Sequence, residues 1–198
     1  MKRFGGFIFI WGFSLCCSVQ GGRSQTREDG ITLHIDTTYY AVRGGSVEDL
    51  RSQVKTLGPQ DGGKRYDAGT EYQIRWRYRT VRVGEMCRFD SVVVHLNVRF
   101  IYPRWEIPSS ASERLVQTWR RYYINLQGHE YGHFDLARTG CKEILRVIKE
   151  IQPSLTCRSI EDTADSMAEA IVASVKKKQA EYDRVTDHGA TQGVRLDP

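Results

Sequence analysis

An α+β fold is what this sequence predicts, and three observations predict it. Between residues 31 and 105, apolar and polar side chains alternate at a period of two. From Ser112 onward, apolar residues recur at the 3.6-residue period of a helix. One short helical pattern, from Val47 to Leu57, interrupts the strand-rich half. The expectation is an N-terminal antiparallel sheet with one short helix, then a helical half. The 198 residues read as a leader over 1–22 and a single domain over 23–198. Within that domain, 31–105 is strand-rich, 112–183 is helical and 184–198 is a closing turn.

Lys2 and Arg3 precede an uncharged apolar run from Phe4 to Val19. That is the form of a secretory signal peptide, too short for a spanning helix and leading into a polar segment. Small residues between Ser18 and Gly22 offer a cleavage site. Leu15 before Cys16 fits a lipid-attachment site poorly. No later run is apolar enough to cross a membrane, so stable insertion after leader removal is not expected.

Ile31, Leu33 and Ile35 alternate with Thr32, His34 and Asp36, a half-buried strand that extends toward Arg43. Gly44-Gly45 breaks it. Ser46 with Asp49 three residues on resembles a capping box, and Val47, Leu50, Val54 and Leu57 follow at helical spacing. Gly58-Pro59 ends that helix. Tyr72, Ile74, Trp76 and Tyr78 alternate with Gln73, Arg75, Arg77 and Arg79, giving one aromatic and one basic face. A basic row of this kind reads as a solvated edge that discourages aggregation. Val92 to Ile101 forms a further strand, closed by Tyr102-Pro103. His34 and His95 both fall on polar faces and read as surface residues.

The helical half carries Leu115, Trp119, Tyr122, Leu126, Ile144 and Ile148 on one face. One straight helix of about 40 residues is unusual in a small domain, so a break is expected between Asn125 and Gly128 or near Gly140. Pro153 stops the run, and Ser159 opens a last helix with Ile160, Ala164, Ile171 and Val175 facing the core.

Within that half lies His129-Glu130-Tyr131-Gly132-His133. On a helix, side chains four apart share a face, so His129 and His133 can grip one Zn²⁺ ion. Glu130 lies beside them as a general base for an activated water. A third protein ligand leaves one coordination position open. Thr139 occupies the position where a close third histidine would fall. His188, between Asp187 and Gly189, remains a candidate, as do Glu150, Glu161 and Glu169 on helices. Asp135 or Asp183 is expected to accept the far N–H of a ligating imidazole. Tyr182 is a candidate donor to a developing oxyanion.

The formal charge is +5, or about +3 without Lys2 and Arg3, which argues against a dedicated nucleic-acid binder. Three cysteines, Cys87, Cys141 and Cys157, remain after the leader. In an oxidising compartment they form one disulfide and leave one thiol, and spacing does not choose the pair.

The chain resembles a family of bacterial secreted proteins described as predicted zinc-dependent proteases. The resemblance rests on Tyr40, Val42 and Gly44; Gly58-Pro59; Gly69 and Thr70 leading to Trp76; Cys87; His129-Glu130 with His133; Cys157; and Tyr182-Asp183, Thr186 and His188-Gly189. It implies a zincin-like fold and a zinc site with His188 as third ligand. It also implies a Cys87–Cys157 disulfide, with Cys141 a lone buried thiol. In zincin folds a strand beside the motif helix accepts an extended substrate, and Val92 to Ile101 is the expected strand. The reading is therefore a secreted or periplasmic zinc metallopeptidase acting on peptide or protein substrates. Its alternatives are an amidase of cell-wall peptide and a zinc-stabilised envelope binding protein that cleaves nothing. In the last, Asp187 or Glu169 would close the site as a fourth ligand.

Overall fold

The computed structural model describes residues 23–197. The expected leader over 1–22 lies outside them. The described residues form six strands: β1 (Arg23–Glu28), β2 (Ile31–Val42), β3 (Gln60–Asp61), β4 (Lys64–Arg65), β5 (Gly69–Val83) and β6 (Met86–Trp105). Three α-helices join them: α1 (Val47–Leu57), α2 (Glu113–Glu150) and α3 (Cys157–Thr186). A 3₁₀ turn over Ala190–Gln192 follows α3. No helix of the described residues is long and apolar enough to cross a membrane.

The α+β class holds, with one correction. The main sheet runs β1-β2-β6-β5 and is mixed rather than antiparallel, because β2 and β6 pair in parallel. The cause is the connection. The chain leaves β2, makes α1 and the small β3–β4 hairpin, and returns as the β5–β6 hairpin with β6 on the inside. A crossover of that length permits parallel pairing, where a tight turn would not. β6 is also longer than expected and continues through Pro103. Beyond Ile101 it pairs with β2 alone, so one edge is open and a proline is tolerated.

Alternation gives the sheet two unlike faces. Val94, Leu96, Val98 and Phe100 of β6, with Ile31 and Leu33 of β2, are buried under α2 and α3. The other face carries the polar positions, and no helix among the described residues lies over it. α1 begins as expected. Ser46 accepts from the Asp49 N–H, and the Asp49 carboxylate accepts from Gly45.

The break expected in the motif helix is absent, and α2 is continuous over 38 residues. Its glycines serve close packing instead. A Cβ at Gly132 would lie 2.2 Å from the Tyr182 hydroxyl, and one at Gly140 would lie 2.4 Å from Val175 Cγ2. Bare backbone at these two points lets α3 lie directly along α2. Buried residues from Leu115 to Ile148 then support α2 over its whole length.

Cys87 and Cys157 form the disulfide, bridging β6 to the first turn of α3 across 70 residues. Cys141 is free and buried, and burial pushes its thiol up to about 12.

Candidate metal centre

Two pairs of polar residues at helical i,i+4 spacing face each other where α2 and α3 meet. One is His129 and His133 on α2; the other is Gln179 and Asp183 on α3. Each spacing places both side chains on one helix face. His129, Glu130 and Gln179 are buried polar residues, rare in an interior unless each finds a partner.

The partners define the tautomers. Gln179 donates its amide N–H to the His133 carbonyl at 2.9 Å, which turns its oxygen toward His133 Nδ1 at 2.5 Å. Gln192 donates to the Tyr182 hydroxyl at 3.0 Å and presents its oxygen to His129 Nδ1 at 2.9 Å. An amide oxygen only accepts, so each Nδ1 carries the hydrogen and each neutral imidazole leaves Nε2 as a bare lone pair.

Those lone pairs converge. The two Nε2 atoms lie 3.3 Å apart, and Asp183 Oδ1 lies 3.3 Å from His129 Nε2 and 3.0 Å from His133 Nε2. Three acceptors thus point at one spot, and a cation is what such a group needs. All three ligand atoms fall within 4.8 Å of one another. Two imidazoles and a carboxylate suit a borderline divalent ion such as zinc. The electrostatics agree. Burial opposes ionisation of Asp183, but the hydrogen bonds that His129 and His133 donate when a proton sits on Nε2 in place of a cation outweigh it and hold the carboxyl far below its usual range. Burial also opposes charge on His133, yet Asp183 and Gln179 raise its pKa above the ordinary value.

Glu130, the residue after His129 in the same turn, is 5 % exposed. Its Oε2 accepts a 2.6 Å hydrogen bond from Thr70 Oγ1, at the start of β5. The Thr70 hydroxyl also lies 3.1 Å from the Glu130 carbonyl. Burial raises the Glu130 pKa despite the Thr70 bond and the nearby imidazoles. The segment before Thr70 is pinned as well. Tyr66 N–H donates to the Pro59 carbonyl, the Tyr40 hydroxyl to the Asp67 carbonyl and the Tyr122 hydroxyl to the Asp67 carboxylate.

The expected site residues fall into three groups. His129, Glu130, His133 and Asp183 come together, but Asp183 faces the metal-side nitrogens instead of the far ones. His188 stands one step out. Its Nδ1 is 3.6 Å from Asp183 Oδ1, its side chain is 54 % exposed and its ring lies 5.3 Å from that of Tyr66. Asp187 and His188 are both left-handed (φ 49° each), an uncommon conformation outside glycine that turns the chain back over the site. Tyr182 stacks on His129 at 5.1 Å and meets His133 edge-on at 5.0 Å. Its hydroxyl is engaged by Gln192 and lies 3.4 Å from the His129 carbonyl, so Tyr182 braces the imidazoles and does not face the convergent lone pairs.

Asp135 is corrected. Two residues past His133, it lies about 200° around the helix, exposed and away from the site. Gln179 and Gln192 take the part expected of it. The helical glutamates are out of reach too. Glu169 is 14 residues before Asp183 on α3, about 21 Å along the axis. Glu161 accepts from Thr80 instead, and Glu150 closes α2 at the far end. β6 is not available to a substrate over Val94–Ile101, since β2 and β5 occupy both its edges there.

Fold and site together define an α+β protein whose two long helices bring a His–His–Asp cluster together beside a buried glutamate. The chain belongs to the family described as "Bacterial protein of unknown function (DUF922)", which it matches over residues 37–189. The match opens inside β2 and ends just past His188, so it takes in the site residues named so far except Gln192. No curated protein and no solved structure matches the chain.

Proposed function

We propose that this protein is a secreted zinc-dependent hydrolase of peptide bonds with a zincin-like site. The observation that carries the reading is the convergence of two bare Nε2 lone pairs and one carboxylate oxygen, with a buried glutamate in the same helical turn. His129 and His133 would hold the ion through Nε2, and Asp183 through Oδ1. His188 stands at the mouth of the site. Zinc, when bound, supplies Lewis acidity and makes a water easier to deprotonate.

The chain's own residues supply the rest. Gln179 and Gln192 fix ring orientation and tautomer, and Tyr182 holds both rings against rotation. Glu130 takes a proton from the attacking water and returns it to the departing amine nitrogen. Thr70 keeps the Glu130 carboxylate in one rotamer. β5 is an edge strand of the main sheet, and Thr70 is its second residue. An extended peptide added to its open edge would run toward Glu130.

The test is digestion of a peptide library by the mature protein, wild type against Glu130→Gln, with metal content measured on both. Wild type is expected to cleave. Glu130→Gln is expected to keep its metal and lose about 10²–10⁴-fold in rate. A zinc-loaded wild type that cleaves nothing would point to the second reading, a zinc-stabilised envelope protein. His188 favours that reading, because at 3.6 Å from Asp183 it is near enough to close the site as a fourth ligand.

A further inference from the structure

The helix-free face of the sheet is laid out in cross-strand rows. Gln73, Asn97 and His34 stand side by side on β5, β6 and β2. In the next row Arg75 is opposite His95, and in the one after it Arg77 is opposite Val93. The flanking arginines are neutralised: Arg79 pairs with Asp90, and Arg99 with Glu71. Arg75 and Arg77 are exposed and have no ion-pair partner among the described residues. His95, between them and His34, is held below its ordinary pKa by burial, then by Arg77, His34 and Arg75. The Arg75 and Arg77 rows thus form a positive field with no acid in them, beside a row of amide and imidazole groups that has Glu71, Arg99 and Asp36 on its far side.

From this arrangement we infer that the open sheet face binds an acidic polysaccharide. Two arginines on alternate residues of one strand, their Cα atoms about 6.8 Å apart, offer planar guanidinium forks for carboxylates. The Gln73–Asn97–His34 row beside them offers donors and acceptors for hydroxyls. Other polyanions fit less well. None of these rows holds a Phe, Tyr or Trp ring on which a base could stack, and His34 and His95 offer only small imidazoles. None holds a large apolar side chain that could insert into a bilayer. The surface is separate from the metal centre, so this inference stands or falls independently of the proposed hydrolase.

The experiment is titration of the mature protein with polygalacturonate, with oligo(dT) and anionic phosphatidylglycerol vesicles as competing ligands. Polygalacturonate is expected to bind and to weaken as salt rises. Arg75→Gln/Arg77→Gln should weaken it by at least about tenfold with thermal unfolding unchanged. Lys176→Gln/Lys177→Gln removes the same charge from α3 and should leave binding within about twofold. Absence of binding, equal loss in both double variants, or tighter binding of the oligonucleotide or the vesicles would each overturn the inference.

Discussion

Asp67 shows how the site is held from behind. Burial raises its pKa, against the hydrogen bond it accepts from Tyr122 and the charge of Lys55. A carboxyl whose folded pKa is raised stabilises the fold below its unfolded value, about 3.9, and that contribution is lost as pH rises through the folded value. Asn at this position keeps an acceptor for Tyr122 and removes only the charge. Asp67→Asn should therefore gain on wild type between about pH 4 and 7. Asp67→Ala strands the Tyr122 hydroxyl and should lose about 1–3 kcal/mol at either pH. Urea unfolding at both pH values checks this, and equal losses in the two variants would refute it. At this scale the sequence was legible where spacing alone fixes geometry. His129, Glu130 and His133 sit within one turn, so their relation follows from the helix. Gln179, Gln192 and Thr70 meet them across 46, 63 and 60 residues of chain, and no local pattern marks such contacts. The hint that did exist was the Gln179–Asp183 pair, spaced as the histidines are.

The two long helices are where periodicity was a good guide to type and a poor guide to length. Apolar spacing identified both. The break expected in α2, between Asn125 and Gly128 or near Gly140, came from the rarity of such long helices in small domains, whereas Gly132 and Gly140 mark where α3 touches a continuous helix. Gly140→Ala sets two effects against each other. Alanine gains about 1 kcal/mol of helix propensity, while overpacking a rigid contact costs about 1–3 kcal/mol. Val175 is 2 % exposed and has nowhere to move, so the clash should win. The expected net is a loss of up to about 2 kcal/mol in thermal unfolding. Gly128→Ala, with no heavy atom within 4 Å of its Cβ, should be neutral or slightly stabilising. The reverse ranking would contradict close contact between α2 and α3 at Gly140.

For the whole molecule, strand alternation was enough to give the class but not the order of strands. Parallel pairing of β2 with β6 depends on which edge the β5–β6 hairpin joins, and either edge suits the same alternation. The Cys87–Cys157 disulfide fastens that hairpin to α3. Closing a loop of 70 residues is worth about 4 kcal/mol by chain entropy. Cys87→Ser/Cys157→Ser should lower the urea midpoint accordingly. Asp183 lies 26 residues beyond Cys157, about 39 Å along α3, so the folded double variant should keep its full metal content. An unchanged midpoint would mean that packing alone holds the sheet to the helix.

Metal stoichiometry in the mature protein, wild type beside Asp183→Ala, tests the centre most directly. One zinc ion per chain in the wild type, and little or none in Asp183→Ala after both are offered zinc and dialysed, is the predicted result. A wild type that retains no metal, or an Asp183→Ala variant that retains a full equivalent, would contradict it.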